Sequence, residues 1–187
     1  MSELIQMAID EGKASMSGAV DHLKQELSKV RTGKAHVSLV SGIIVEYFGT
    51  PTPLAQAANL STPDSKTISI QPWDKKLLPV IEQAIFAANI GITPMNDGEF
   101  IRISMPPMTE ERRKDMVKKA KSLGEESKVS LRNERQKIMQ TIKSEVKDGF
   151  PEDQGKKMES QVEGLIKKYV EDIGKLLDAK EIDIMKV

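Results

Sequence analysis

Three long stretches of this chain carry apolar residues along one helical face only, and no other feature limits the fold as much. In the first, Met16, Ala19, Val20, Leu23, Leu27 and Val30 recur at three- and four-residue intervals, the spacing of a single apolar stripe on a helix. Val117, Ala120, Gly124, Leu131, Ile138 and Ile142 form the second stripe. The third runs from about Glu152 to Lys180 and uses Met158, Val162, Leu165, Ile166, Tyr169, Ile173, Leu176 and Leu177. A helix with one apolar face cannot bury it alone. The economical solution is a bundle in which the N-terminal helix packs with the two C-terminal ones. Boundary residues agree with this reading. Pro106, Pro107 and Thr109 precede the second helix, and Glu110 and Glu111 sit where its positive end favours acids. Gly149 and Pro151 punctuate the step to the third helix, which Glu152 and Asp153 open.

The chain between the first two helices is different. "SGIIVEYFG", "KTISIQPW" and "FIRISMP" are short, β-branched or alternating, and read as strands. "GTPTP" and "TPMNDGE" read as turns. "KKLLPVIEQAIFAANIG" reads as a helix closed by Gly91, with Pro79 in its first turn or bending it. Tyr47 and Phe48 are expected to close a small core. The expected division is therefore a helical unit of residues 1–30 and 106–187, and an inserted α+β unit of residues 31–105. Two crossings join them, and Thr32, Gly33, Met105, Pro106 and Pro107 are the candidate hinge residues.

Charge is distributed unevenly. The chain is formally neutral, yet Arg112–Lys143 holds eleven Lys and Arg against four acids. At 100° per residue, Lys114, Lys118, Lys121, Lys128, Arg132 and Lys143 fall within an arc of roughly 80° beside the apolar stripe, with Glu125 the one acid inside it. Arg135 lies about 60° from Arg132, on the edge nearer the stripe, where it can also serve a bundle salt bridge. Acids of the other two helices could pair with this face and leave only a solvated surface. They do not cancel it, since the first helix carries a net −2 and residues 144–187 a net −3. The guanidinium groups of Arg132 and Arg135 suit phosphate oxygens. Without interleaved aromatics, the face favours backbone or shape recognition over base reading.

Enzyme chemistry has little to work with. There is no phosphate-binding GxxxxGKS/T loop, no GxSxG elbow and no HExxH. The two histidines, His22 and His36, have no ligand spacing, and cysteine is absent. Trp73, the only tryptophan, is expected to pack or to anchor a turn. No catalytic residue, metal or cofactor is expected. Glu3, Asp10 and Glu11 interrupt any apolar run at the N-terminus, and no stretch is long enough to cross a bilayer. A cytoplasmic, monomeric, non-enzymatic protein is the expectation. From the residues alone, a helical chaperone or scaffold module for protein partners is the competing reading of these faces.

"KVRTGKAHVSLVSGIIVEYFGTPTPLAQAANLS", "NDGEFIRISMPPMTEERRKDMVKKAK" and "VSLRNERQ" resemble the signature segments of the ribosome recycling factor family, in order and across nearly the whole chain. The resemblance implies an L-shaped α+β protein: a three-helix bundle with a small β/α/β domain inserted near the end of the first helix. It also implies a role in bacterial translation. The family acts after termination, with elongation factor G and GTP, to split the ribosome; the bundle lies against rRNA of the large subunit and the small domain swings. By the same resemblance, the arginines that meet rRNA correspond to Arg113, Arg132 and Arg135, and a further basic element corresponds to Arg31 and Lys34. At Lys34 a point charge stands where the family's usual residue is arginine, and Gln136 stands where many members have a basic residue. Lys118, Lys121 and Lys128 complete the expected rRNA-binding set.

Overall fold

Helix α1 spans Glu3–Lys29. The short helices α2 (Ser38–Ser41) and α3 (Leu54–Ala57) flank a hairpin of β1 (Ile44–Tyr47) and β2 (Thr50–Pro53). Strands β3 (Ala58–Asp64) and β4 (Thr67–Pro72) follow, then a 3-10 turn at Lys75–Leu77 and helix α4 (Leu78–Ala88). Strands β5 (Pro94–Asn96) and β6 (Ile101–Ser104) lead to the long helices α5 (Glu110–Lys147) and α6 (Glu152–Met185). The computed structural model describes residues 2–186. The chain is a long helical bundle plus a small β domain: one unit of Met1–Thr32 with Glu110–Val187, and one of Gly33–Thr109.

In the helical unit, α1, α5 and α6 turn their apolar stripes inward. Ile5, Ile9, Met16, Val20, Leu23 and Leu27 meet Val117, Ala120, Leu131, Ile138 and Ile142, with Val162, Ile173 and Ile184 from the third helix. Burying a side chain of this size is worth about 1.5–3 kcal/mol, so the shared core outweighs the modest helix propensity of any one segment. Close approach is bought by glycine. A Cβ on Gly12 would lie 2.5 Å from Ile138 Cδ1, and one on Gly124 would run into the branched end of Leu177. The step from α5 to α6 is a Schellman closure: Phe150 N–H donates to Glu145 O at 2.9 Å and Gly149 N–H to Val146 O at 3.3 Å. Gly149 takes the left-handed position with φ 107°.

In the smaller unit, β3, β4, β6 and β5 form an antiparallel sheet in that order. One face buries Ile68, Ile70, Ile101 and Ile103 against Leu77, Leu78, Ile81 and Ile85, together with Val45 and Leu54. The other face carries Asn59, Ser61, Ser69, Arg102 and Ser104, the alternation of a sheet wet on one side.

Four expectations change here. "GTPTP" is not only a turn: Thr50–Pro53 pairs with Ile44–Tyr47 as a strand. The loop closing that hairpin has two residues, which makes Tyr47–Thr50 and Val45–Thr52 the hydrogen-bonded pairs and points the ring nitrogens of Pro51 and Pro53 outward, where no donor is required. Likewise, Pro94–Asn96 in "TPMNDGE" pairs with β6. The helix ends at Ala88 with Asn89 as its left-handed cap (φ 48°), before Gly91 is reached; asparagine tolerates that region. Finally, Tyr47 packs on the small core but Phe48 does not: it is 83% exposed, at φ 49°, in the two-residue tip of the β1–β2 hairpin with Gly49. Two positive φ values in succession make the tip that matches strand twist, and the geometry turns the Phe48 ring outward.

Candidate nucleic-acid interface

The basic face of α5 resolves into two lines. The inner line is Lys114, Lys121, Lys128 and Arg135, one cation every seven residues. An α-helix drifts about 20° per seven residues, so this line slides toward the buried stripe, and every member is held by an acid. Lys114 meets Glu110 at 3.0 Å and Lys128 meets Glu125 at 3.2 Å, both on α5. Lys121 meets Glu181 of α6 at 3.7 Å. Arg135 grips Glu163 of α6 through Nη2 and through Nε at 2.9 Å. That hydrogen bond is the chief reason the Glu163 carboxyl sits below its ordinary range and the Arg135 guanidinium above its own. The flanking acids thus do pair across the bundle, at two positions.

The outer line is Lys118, Arg132 and Lys143. All three are exposed, and among the described residues none has an ion-pair partner. Lys118 and Arg132 are about 21 Å apart along the helix axis and Arg132 and Lys143 about 16 Å. Long side chains with free charged ends at these separations suit well-separated phosphates of a structured RNA surface, which they can contact without reading a base.

Arg113 belongs elsewhere. At 100° per residue it falls on the line of Ala120, Gly124 and Leu131, inside the apolar stripe. Its side chain is half-buried, and Nη1 donates to Ile184 O at 2.6 Å, satisfying a carbonyl in the last turn of α6. Arg31 is exposed and Lys34 half-buried, both on the first crossing between units.

The crossings themselves are short. Val30 is buried in the bundle core, while Ala35 N–H donates to Ser65 O at 2.8 Å, which leaves Arg31–Lys34 between the two anchors. On the return, Met105 packs on the small core and donates its N–H to Lys66 O at 2.7 Å, while α5 begins at Glu110. Met105 is therefore anchored, and Pro106–Thr109 is the spanning segment. Both chain ends of the small unit are stitched to one turn, Ser65–Lys66. Asp64 braces that turn by accepting Lys66 N–H at 2.8 Å, and this bond is the main reason its carboxyl lies below the usual range. Gly33 has φ 79°, accessible to glycine at little cost.

The remaining candidates have local roles. His36 Nδ1 accepts the Ser38 N–H at 3.1 Å, capping α2. Trp73 anchors a turn by donating its indole N–H to Gln56 O at 3.1 Å, with the ring 65% exposed. Among the described residues no three His, Cys, Asp or Glu side chains could share a metal ion, and no helix is long and apolar enough to cross a membrane.

Comparison with known proteins gives one answer. Residues 23–185 match the family model described as ribosome recycling factor. A ribosome-recycling factor of Flavobacterium johnsoniae is 44% identical over 187 residues, covering 100% of both chains. That of Christiangramia forsetii is 45% identical over 183 residues, 98% of each. A solution structure of the ribosome recycling factor matches with a TM-score of 0.79 at 36% identity over 100% of both chains. A second structure describes the T. thermophilus ribosome recycling factor and the E. coli elongation factor G bound to the E. coli post-termination complex; it matches with a TM-score of 0.64 at 32% identity, over 97% of this chain and 98% of that one. From its first helix to its last, this chain belongs to the ribosome recycling factor family.

Proposed function

We propose that this chain binds the post-termination ribosome and, with elongation factor G and GTP, splits it into subunits, holding large-subunit rRNA through the outer basic line of α5. The observation that carries the RNA contact is that Arg132 and Lys118 are exposed cations with no ion-pair partner among the described residues, on one face of a formally neutral chain. Lysine and arginine at such positions release counterions from RNA when they bind, so affinity falls steeply with salt. The factor works by binding and displacement in the cytoplasm, and the GTPase supplies the energy. The small unit serves as the moving lever. Its support is that two short stretches of chain, Arg31–Lys34 and Pro106–Thr109, connect the two cores, and that on the side of the small unit both adjoin residues bonded to one turn. Arg113 and the inner line contribute less to RNA, because their charged ends already have partners in the bundle.

The test is Arg132→Glu, measured by equilibrium pelleting with large subunits and by sedimentation of split ribosomes. Replacing attraction with repulsion should weaken binding at least about tenfold, or roughly 1.4 kcal/mol. Melting curves should be unchanged, since an exposed helical position seldom costs more than about 0.5 kcal/mol. Wild-type affinity in the folded variant would remove the RNA contact from this face. For the lever, a chain with Gly33–Thr109 replaced by a short Gly/Ser linker should still form its helical core and pellet with large subunits, yet fail to split ribosomes.

A further inference from the structure

We propose that Glu163 and Glu181 of α6 are specificity-determining residues: by holding Arg135 and Lys121, they restrict the basic face to RNA whose phosphates meet Lys118 and Arg132. This rests on the RNA-binding reading above. The two acids are about five whole turns apart on α6 and so share one side of it. Each reaches across the bundle to the cation of the inner line nearest to it. Neither pair is buried: the side chains of Arg135 and Glu163 are 42% and 50% exposed, and those of Lys121 and Glu181 are 60% and 43%. Exposed pairs of this kind add little to stability, about 0–1 kcal/mol, so holding the bundle together does not account for them.

Their effect on a ligand is larger. An unmasked helix would present seven cations on one broad strip, Lys114 to Lys143, and would take any polyanion. With Arg135 and Lys121 neutralised from α6, and Lys114 and Lys128 neutralised from their own helix, the accessible positive charge is reduced to separated points. A flexible single strand gains little from isolated points, because it must order itself to reach each one. A rigid RNA surface with phosphates already at the right separation loses nothing. Discrimination of this kind works by penalising the wrong partner. The carboxylates on α6 also stand at the edge of the face, where a strand laid along the inner line would meet them. Arg135 is held in a fixed direction by two of its nitrogens, Nε and Nη2.

The experiment compares Glu163→Gln, Glu181→Gln, the double variant and Glu171→Gln in the full chain. Glu171 is an exposed acid of α6 about 80° round the helix from Glu163 and Glu181, so its variant changes net charge as much as either single variant does without unmasking a cation of α5. Binding is measured at fixed salt to poly(U) and to purified large ribosomal subunits, with melting curves as the check on folding. The double variant should bind poly(U) at least about fivefold tighter, and large subunits less than about twofold tighter, while Glu171→Gln changes neither by more than about twofold. Unchanged poly(U) affinity in the double variant would overturn the proposal. So would an equal gain for both RNAs, or a gain from Glu171→Gln matching that from Glu163→Gln, since either would reduce the effect to net charge. Arg132→Glu, run alongside, separates the two readings. If it weakens large-subunit binding while the double variant leaves selectivity untouched, only the masking idea fails; if it binds both RNAs as the unmodified chain does, both readings fail.

Discussion

Two identical substitutions on the helical unit should have opposite effects. At Gly124 of α5, an added Cβ would lie 2.9 Å from Leu177 Cδ2 and 3.1 Å from its Cγ, with Cδ1 closer still. At Gly164 of α6, nothing lies within 4 Å of the same atom. Exchanging glycine for alanine in a helix interior gains about 1 kcal/mol of backbone propensity at either site. Gly164→Ala should keep that gain and stabilise the unit by roughly 0.5–1 kcal/mol. At Gly124 the whole branched end of Leu177 is in the way, so no single rotamer change clears it, and overpacking of about 1–3 kcal/mol is set against the gain. The expected net is a destabilisation of about 1 kcal/mol, and a gap between the two variants of roughly 2 kcal/mol. Urea unfolding followed by far-ultraviolet circular dichroism reads the helical unit, which holds the three long helices. The clash also predicts a sign change: in a Leu177→Ala background, Gly124→Ala should become stabilising by about 1 kcal/mol, a coupling that a double-mutant cycle isolates. Gly124→Ala as stable as Gly164→Ala would mean that α5 and α6 do not approach through this glycine.

Arg113→Ala should fray the end of α6 and cost about 1–2 kcal/mol, since it leaves the Ile184 carbonyl without its charged donor; equilibrium pelleting should find it weakening RNA binding less than Arg132→Ala does. Phe48→Asn should stabilise the small unit by about 0.5–1 kcal/mol, because asparagine accepts the positive φ of the hairpin tip that phenylalanine resists; thermal unfolding of the full chain checks it. Asp64 and Asp97 both lie below the ordinary carboxylate range, chiefly through hydrogen bonds from the backbone N–H groups of Lys66 and of Phe100 and Glu99. A lowered folded pKa means that their stabilisation is complete above the unfolded value, near pH 3.9, and is lost as pH falls through the folded one. Protection of the Lys66, Glu99 and Phe100 amides, measured against the intrinsic exchange rate at each pH, should therefore fall below about pH 4, and full protection persisting to strong acid would contradict the turn-bracing role.

What the sequence made legible follows from how locally each feature is encoded. The three apolar stripes were readable because a helix repeats within a few residues, so Val117, Ala120, Gly124, Leu131, Ile138 and Ile142 declare their common face without any partner. The strands were harder. Thr50–Pro53 looks like a turn because two prolines cannot donate to a ladder, and only the register with Ile44–Tyr47 shows that their nitrogens face away from it. Ala58–Asp64 has little alternation of its own and is a strand because β4 pairs with it. Phe48 was expected inside on hydrophobicity, but the two-residue loop overrides it. In the candidate interface, the arc of cations was visible at 100° per residue, yet their partners were not, since Glu163 and Glu181 are distant in sequence from Arg135 and Lys121. The place of Arg113 was legible too: the same angular count that draws the basic arc sets it on the buried stripe, where it donates to Ile184 O.

The division of α5 into a held line and a free line makes a quantitative claim about salt. If binding releases counterions, the slope of log K against log salt counts phosphates neutralised, at about 0.7–0.9 per contact. Lys118→Ala and Arg132→Ala each remove a cation that has no ion-pair partner among the described residues, so each should reduce the slope by close to one contact's worth. Lys121→Ala removes a cation that Glu181 already neutralises at 3.7 Å. It should change the slope by much less, because what is lost with the lysine charge is the attraction to its glutamate. It also leaves Glu181 unpaired beside the face, so affinity should fall through added repulsion while the slope stays near its original value. Titrations of large subunits across a range of potassium concentrations separate the two quantities. A slope that drops equally for Lys118, Lys121 and Arg132 would mean that RNA displaces the glutamates and uses the whole strip. A slope unmoved by any of the three would mean that the phosphates lie on another face of the bundle.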